Sequence, residues 1–353
     1  MLIDCDVTGA VIGLVGQSER TGNVARKYAR AGAVIECSQV EQLEALAERS
    51  PALVIICAGT GEDYAQWRAE VSRTLPGVLL SHDAEEPRQG TGKVFLIGAG
   101  PGHPGYLTVR ARQALAESDV VLIDHLAPTA DIQEWAPAAE IIDVGKVPGK
   151  HKVPQRQIDQ LMIDSALAGR NVARLKGGDP YIFGRGSEEL YVCEQAGLDV
   201  EVISGVTASI AVPARAGVPM TLRKVSHMFT VVSGHAELSD DELDHLAGFI
   251  KSGGTISLLM GVRTLPHAVA GLLARGVRAD MPLGTFESVY RKNERVHYST
   301  LERAVTELSD VRPPAITVIG EVVDVGNAEG KDAEARRDAL LQLALSEGRD
   351  GRA

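Results

Sequence analysis

Cysteine is scarce in this 353-residue chain: Cys5, Cys37, Cys57 and Cys193 are scattered, with no C-x-x-C spacing. That pattern argues against a disulfide framework or a thiolate metal site, and no metal is expected. Cys37 and Cys57 fall in or beside apolar runs and are expected to be buried thiols. Aromatic residues make up only 4% of the chain, too few for a platform that stacks single-stranded bases. The formal charge of −11 disfavours a polyanionic partner, so nucleic acid is not expected. No apolar run approaches the length of a bilayer span, and the opening Met1-Leu2-Ile3-Asp4-Cys5-Asp6 is acidic where a signal segment is basic. The expectation is a soluble, cytoplasmic protein with no membrane partner. What is present, 44% hydrophobic and 24% charged residues, describes ordinary globular domains, two or three at this length.

The apolar pattern divides the chain. Over 1–82, strands at 11–15, 33–35, 53–57 and 78–80 alternate with helical stretches at 24–30, 40–49 and 64–74, which predicts a small parallel, Rossmann-like α/β domain. Residues 83–92 are polar and acidic, contain Pro87, and suit a linker. A larger α/β body is expected over 93–326, and 327–353 reads as a charged, mobile tail, helical near 335–345. The body repeats one device, a short apolar strand running into a Gly/Pro turn. It occurs at 94–97, 172–175, 200–203 and 256–259, and the last strand is expected at 316–319. Ligands sit beyond the carboxyl ends of parallel strands, so these tips, taken to share one edge, predict one large site. A crossing segment near 212–226 is expected to split the body into two subdomains with a cleft between them.

The first of these turns, Gly100-Pro101-Gly102-His103-Pro104-Gly105, literally fits the dinucleotide pattern G-x-G-x-x-G. That fingerprint needs free backbone N–H groups around a pyrophosphate at a helix N-terminus. Proline has no N–H and fixes its own φ, so Pro101 and Pro104 remove two donors. The turn is therefore predicted to shape a pocket for something else. In the first domain Gly16 and Gly22 bracket five bulky residues, and Glu36 stands where a ribose-binding acid would be expected. The glycine spacing is wrong for the fingerprint, so a scaffold without tight NAD binding is predicted.

Further candidates follow from strand ends. Asp179 follows Gly177 and Gly178 and precedes Pro180; it can hold an ammonium or ribose hydroxyls, or simply close its own turn. Asp124 ends a strand, where a carboxylate suits a general base, but it equally suits a helix N-cap. Lys146, Lys150, His151, Lys152 and Arg156 form a basic run without an acid, either a seat for a polycarboxylate or phosphate or a solvated loop. Thr207 reads as a helix N-cap and Met260 as strand-end core packing.

Taken in order, VFLIGAGPG (94–102), DVVLIDHL (119–126), VGK (144–146), RLKGGDPYIFGRGSEE (174–189), SGVTASIAVPARAGVP (204–219) and PPAITVIGEVV (313–323) resemble the tetrapyrrole methylase family, in its uroporphyrinogen-III C-methyltransferase branch. The resemblance covers about 93–324. It implies two α/β subdomains with the active cleft between them, a homodimer, and methyl transfer from S-adenosylmethionine to two ring carbons of uroporphyrinogen III, giving precorrin-2 for sirohaem or cobalamin. It also implies cofactor contacts at Pro101, Gly177, Gly178, Asp179, Ile182, Thr207, Ala208 and Met260, with Asp124 as proton acceptor and Lys146 as proton donor. The substrate carries eight carboxylates, which makes Lys150, Lys152, Arg174, Arg185 and Arg223 candidate clamps. The chain departs from the family pattern at His103, where aspartate is frequent, at Val147 and Ser204, and at Val289, where a cofactor-contacting glycine is expected. The first domain resembles a degenerate precorrin-2 dehydrogenase. Two alternatives follow: a bifunctional enzyme that also oxidises precorrin-2 with NAD, or a tetrapyrrole-binding module without catalysis.

Overall fold

The computed structural model describes residues 7–16, 21, 24–25, 28–29, 32–57, 62–82, 90–124, 126–127, 131–145, 153–327 and 331–346. By packing, the chain divides into two compact units. One comprises Met1–Gly98 and Leu107–Ser204, the other Ala99–Tyr106 and Gly205–Ala353.

The first unit holds two sheets. Strands β1 (Val11–Gly16), β2 (Val34–Ser38), β3 (Leu53–Cys57) and β4 (Leu79–His82) form a parallel sheet in the order β2-β1-β3-β4. Order reverses at β1, as in doubly wound folds. Apolar runs such as Leu53–Cys57 pack on both faces, the sequence mark of a covered parallel strand. Cys57 and Cys193 are buried, but Cys37 is exposed, contrary to expectation. It sits on β2, an edge strand covered less completely than β1 or β3.

The second sheet contains β5 (Val94–Gly98), β6 (Val120–Ile123), β7 (Glu140–Asp143), β8 (Val172–Lys176) and β9 (Val200–Ile203), all parallel, in the order β7-β6-β8-β5-β9. Every residue of β5, β6 and β8 is buried, and Val94, Leu96, Leu122, Val172 and Met162 share one core. The register pairs Ile123 with Leu175, which brings the ends of β6 and β8 side by side. Thr108 caps helix Val109–Ala116 by accepting from Ala111 N–H at 3.1 Å, so the chain re-enters this unit through a defined helix start.

The second unit is built on β10 (Phe229–Ser233), β11 (Thr255–Leu259), β12 (Pro282–Glu287), β13 (Arg295–Thr300) and β14 (Ala315–Ile319), in the order β10-β11-β14-β12-β13. Only β10 and β11 are parallel; β14 runs antiparallel to both its neighbours. The strand tips expected on one edge thus belong to two sheets, and 316–319 points opposite to β11. Local periodicity reports that a segment is a strand but not its direction, which the connections decide. Likewise the boundary between units falls at Ser204 and Gly205, ahead of the expected 212–226, because helix Ala208–Arg215 packs with β11 and β14. The terminal helix Lys331–Leu345 is docked on this unit and is not a free tail. Ala333 is buried, Arg336 pairs with Asp324 at 3.1 Å, and Lys224 reaches Ser346. Burial of Asp324 raises its pKa, and the facing Arg336 works the other way.

Candidate functional site

In the first unit the site begins where β6 and β8 end. Asp124 N–H donates to Leu175 O at 3.0 Å, and a Cβ on Gly177 would lie 2.7 Å from Leu126 Cβ. The turn after β8 therefore rests directly on the turn after β6, an approach only glycine permits. Gly178 follows at φ +69°. Asp179 Oδ1 accepts from Tyr181 N–H at 2.8 Å, the turn-closing role. Gly186 N–H donates to Pro180 O at 2.9 Å, closing the larger loop. Phe183 and Arg185 both sit in the left-handed region, at φ +55° and +59°, where bulky residues rarely rest. Tyr181, Ile182 and Phe183 are left exposed.

Behind this loop lies a buried charge cluster. Glu189, with no exposed surface, accepts from Arg174 Nε at 3.1 Å, Lys176 Nζ at 2.7 Å and Gln155 Nε2 at 3.0 Å. Burial pushes the Lys176 pKa down and Arg174 adds to the effect, while Glu189 and then Asp124 oppose it. Arg174 is consequently turned into the interior at 4% exposure and does not present a clamp to a substrate. Arg185 is exposed and ion-paired with Glu188. The sequence reading missed Lys176 and Glu189, although two cations two residues apart on one strand must share a sheet face and need an anion there.

In the second unit the turn 99–106 contains the G-x-G-x-x-G match. Gly100 and Gly102 have φ +73° and +113°, and Pro104–Tyr106 forms one short 3-10 turn. No α-helix starts at the glycines; helix Val109–Ala116 comes later. Thr207 caps helix Ala208–Arg215, accepting from Ser209 N–H at 3.4 Å. Ser257 of β11 donates to Ser209 O at 3.4 Å, tying the helix start to the strand that ends beside Met260. Met260, expected from its strand-end position to pack in the core, is instead 48% exposed at φ +57°. A Cβ on Gly234 would lie 2.5 Å from Gly261 Cα, so the tips of β10 and β11 touch through glycine alone. Val289 turns its side chain into a core with Val212, Val218 and Phe286, so the residue replacing the expected glycine projects inward. Arg223 is exposed.

The sequence-derived residues thus form two sets. Asp124, Gly177, Gly178, Asp179 and Ile182 stand together in the first unit, and Thr207, Ala208 and Met260, with Pro101, belong to the second. Lys146, Lys150 and Lys152 lie outside the described residues. Among the described residues no cluster of His, Cys, Asp or Glu is placed to hold a metal ion. No described helix is long and apolar enough to cross a membrane. A depression of about 460 Å³ in the second unit contains none of these residues; its Arg278, Arg303 and Arg336 are already paired with Glu321, Glu307 and Asp324.

Residues 93–305 match the family model for Tetrapyrrole (Corrin/Porphyrin) Methylases. The chain belongs to this family. It is 40% identical over 244 residues to an S-adenosyl-L-methionine-dependent uroporphyrinogen III methyltransferase of Methanosarcina barkeri, covering 68% of this chain and 95% of that protein. A siroheme synthase of Klebsiella pneumoniae is 38% identical, over 70% of this chain but only 52% of its own length. Among solved structures, the uroporphyrin-III C-methyl transferase of Thermus thermophilus complexed with S-adenyl homocysteine is 37% identical, with a TM-score of 0.56, covering 66% of this chain and all of that one. For this tetrapyrrole methylase the matched segment starts just ahead of β5 and takes in both the turn 99–106 and the Gly177-Gly178-Asp179 loop.

Proposed function

We propose that this chain transfers methyl groups from S-adenosylmethionine to two carbons of uroporphyrinogen III, giving precorrin-2. The observation that carries the reading is the contact of the Gly177 turn with the Leu126 turn, which sets the Asp179 loop beside Asp124. The donor supplies a methyl group on a sulfonium, electrophilic without help from a metal. The protein's task is therefore alignment of donor and carbon nucleophile.

The residues fit such a donor. Asp179 offers a carboxylate for an ammonium or ribose hydroxyls, Thr207 and Ala208 form the first turn of a helix, and Met260 holds an exposed thioether on a left-handed backbone. Pro101, Gly177, Gly178 and Ile182 complete the binding set by family resemblance. As the pyrrole carbon bonds to the methyl group, the methyl–sulfur bond breaks, its electron pair stays on the sulfur of the departing S-adenosylhomocysteine, and the carbon framework becomes cationic and must shed a proton. A carboxylate oxygen of Asp124 takes it. Behind the loop, Lys176 is buried and held by Glu189 at 2.7 Å. Lys146 keeps the proton-donor role implied by the family. Of the candidate clamps, Lys150, Lys152, Arg185 and Arg223 remain for the substrate carboxylates. The first sheet is read as a relic without NAD binding, and the assembly as a homodimer.

Anaerobic incubation of the full chain with uroporphyrinogen III and S-adenosylmethionine is expected to give a dimethylated product by mass spectrometry. Folded protein that transfers no methyl group overturns the reading. Light scattering tests the dimer, and titration with NAD tests the first sheet.

A further inference from the structure

His103 and the segment 288–290 meet in the second unit. The Tyr290 hydroxyl lies 2.6 Å from the Tyr106 hydroxyl and 3.1 Å from Ala211 O. A carbonyl only accepts and a phenol has one proton, so Tyr290 donates to Ala211 and accepts from Tyr106. The rings pack as well: Tyr106 and Tyr290 centroids are 5.0 Å apart, and His103 stands 5.9 Å from Tyr290 and 6.1 Å from Tyr106. His103 Nδ1 accepts from Gly105 N–H at 3.0 Å, which fixes the imidazole in that stack.

The backbone beneath is unusual. Ser288 and Tyr290 both lie in the left-handed region, at φ +51° and +66°, on either side of Val289, whose side chain is anchored in the core. Residues without the freedom of glycine hold such conformations only where surrounding contacts over-determine them. Here the buried Val289 and the doubly bonded Tyr290 hydroxyl supply those contacts. At the other end, a Cβ on Gly100 would lie 2.9 Å from Tyr106 Cβ, so the position of Tyr106 sets the position of the turn. Ala211 belongs to the helix that starts at Ala208, just after Thr207.

We propose that Tyr290 is a positioning residue for the S-adenosylmethionine site, clamping the 100–106 turn to the first turns of helix Ala208–Arg215. Its hydroxyl is the common point of two segments, carrying Pro101 on one side and Thr207 and Ala208 on the other. The inference rests on the methyltransferase reading. Without the clamp each segment survives, but their separation is no longer fixed, and the cost falls on cofactor affinity.

Calorimetric titration of the full chain with S-adenosylhomocysteine tests this in the unmodified protein, Tyr290→Phe, Tyr106→Phe and the double variant. Tyr290→Phe is expected to weaken binding about tenfold and Tyr106→Phe about threefold to tenfold, the scale of one or two net hydrogen bonds. The double variant is expected to bind as Tyr290→Phe does, because the bond lost in Tyr106→Phe is already gone. In turnover, the loss is expected in the KM for S-adenosylmethionine and not in kcat or the KM for uroporphyrinogen III. Affinity of folded Tyr290→Phe within about twofold of the unmodified chain overturns the positioning role, as does strict additivity of the two substitutions. Should Tyr290→Phe fail to fold, Tyr106→Phe decides alone by the same twofold criterion. No binding by the unmodified chain overturns the methyltransferase reading, and the proposal with it.

Discussion

Lys176 Nζ lies 2.7 Å from Glu189 Oε2, and both side chains are almost wholly withdrawn from water. The second oxygen of the same carboxylate serves Arg174 at 3.1 Å. One anion therefore neutralises two cations on β8, immediately before the glycine turn that rests on Leu126. Four measurements follow from this and neighbouring contacts.

Glu189→Gln leaves two buried cations facing each other, and is expected to destabilise the fold by about 3–5 kcal/mol near neutral pH. Burial holds the folded-state pKa of Lys176 below its unfolded value of 10.5, so the folded protein binds fewer protons in the interval beneath that value. Stability therefore rises with pH there, more steeply once the opposing carboxylate is gone. Denaturant titrations of both proteins near neutral pH and at about pH 9.5 check this. An unchanged midpoint near neutral pH would exclude the buried pair as a stabilising contact.

Glu201 is held at a pKa of about 2, chiefly by hydrogen bonds from Arg110 with Lys93 adding to them. Its folded pKa is below the ordinary value of 4.5, so this contribution is present above 4.5 and lost as pH falls through about 2. Glu201→Gln is expected to flatten the acid limb of the stability curve in that window. The two curves, followed by circular dichroism, should converge at the acid end; parallel curves would count against the assignment.

Gly177→Ala forces a methyl group against Leu126 Cβ, which cannot rotate away. The two turns must separate. Affinity for S-adenosylhomocysteine should drop at least about tenfold while the global unfolding midpoint moves little, since one loop contact sits outside the sheet core. Equal affinity by calorimetry would mean that the contact does not shape the site.

Asp179 closes its own turn, and one pair of substitutions separates that role from the proposed cofactor contact. Asp179→Asn keeps an oxygen to accept from Tyr181 N–H but removes the charge, whereas Asp179→Ala removes both. Both are expected to weaken cofactor binding, with only the alanine variant also loosening the turn, seen as faster amide exchange at Tyr181. If the asparagine variant binds as the unmodified chain does, the carboxylate charge has no part in recognition.

Much of this was legible in residues. The runs 53–57 and 200–203 are strands with those bounds: the first is apolar throughout, and the second is apolar except at Glu201, which pairs with Arg110 and Lys93. Pro101 and Pro104 argued against a dinucleotide seat in the first turn, since proline removes backbone donors that a pyrophosphate requires. Met260 and Arg174 were misread for opposite reasons. Met260 is apolar but caught at a strand end by a left-handed backbone, and Arg174 is charged but satisfied inside by a helix fifteen residues on.

The sequence by itself determined β1, β3, β5, β8, β9, β11 and β14 as strands, the glycine turns of the larger body and the family, because each is written in short-range pattern: apolar runs and ordered motifs. Only the tertiary structure decided that β14 runs antiparallel, that Glu189 joins Arg174 to Lys176, and that Tyr290 reaches Tyr106. Those depend on residues far apart in the chain meeting within a few ångströms, and a hydrogen bond or ion pair acts over that distance whatever the separation along the backbone.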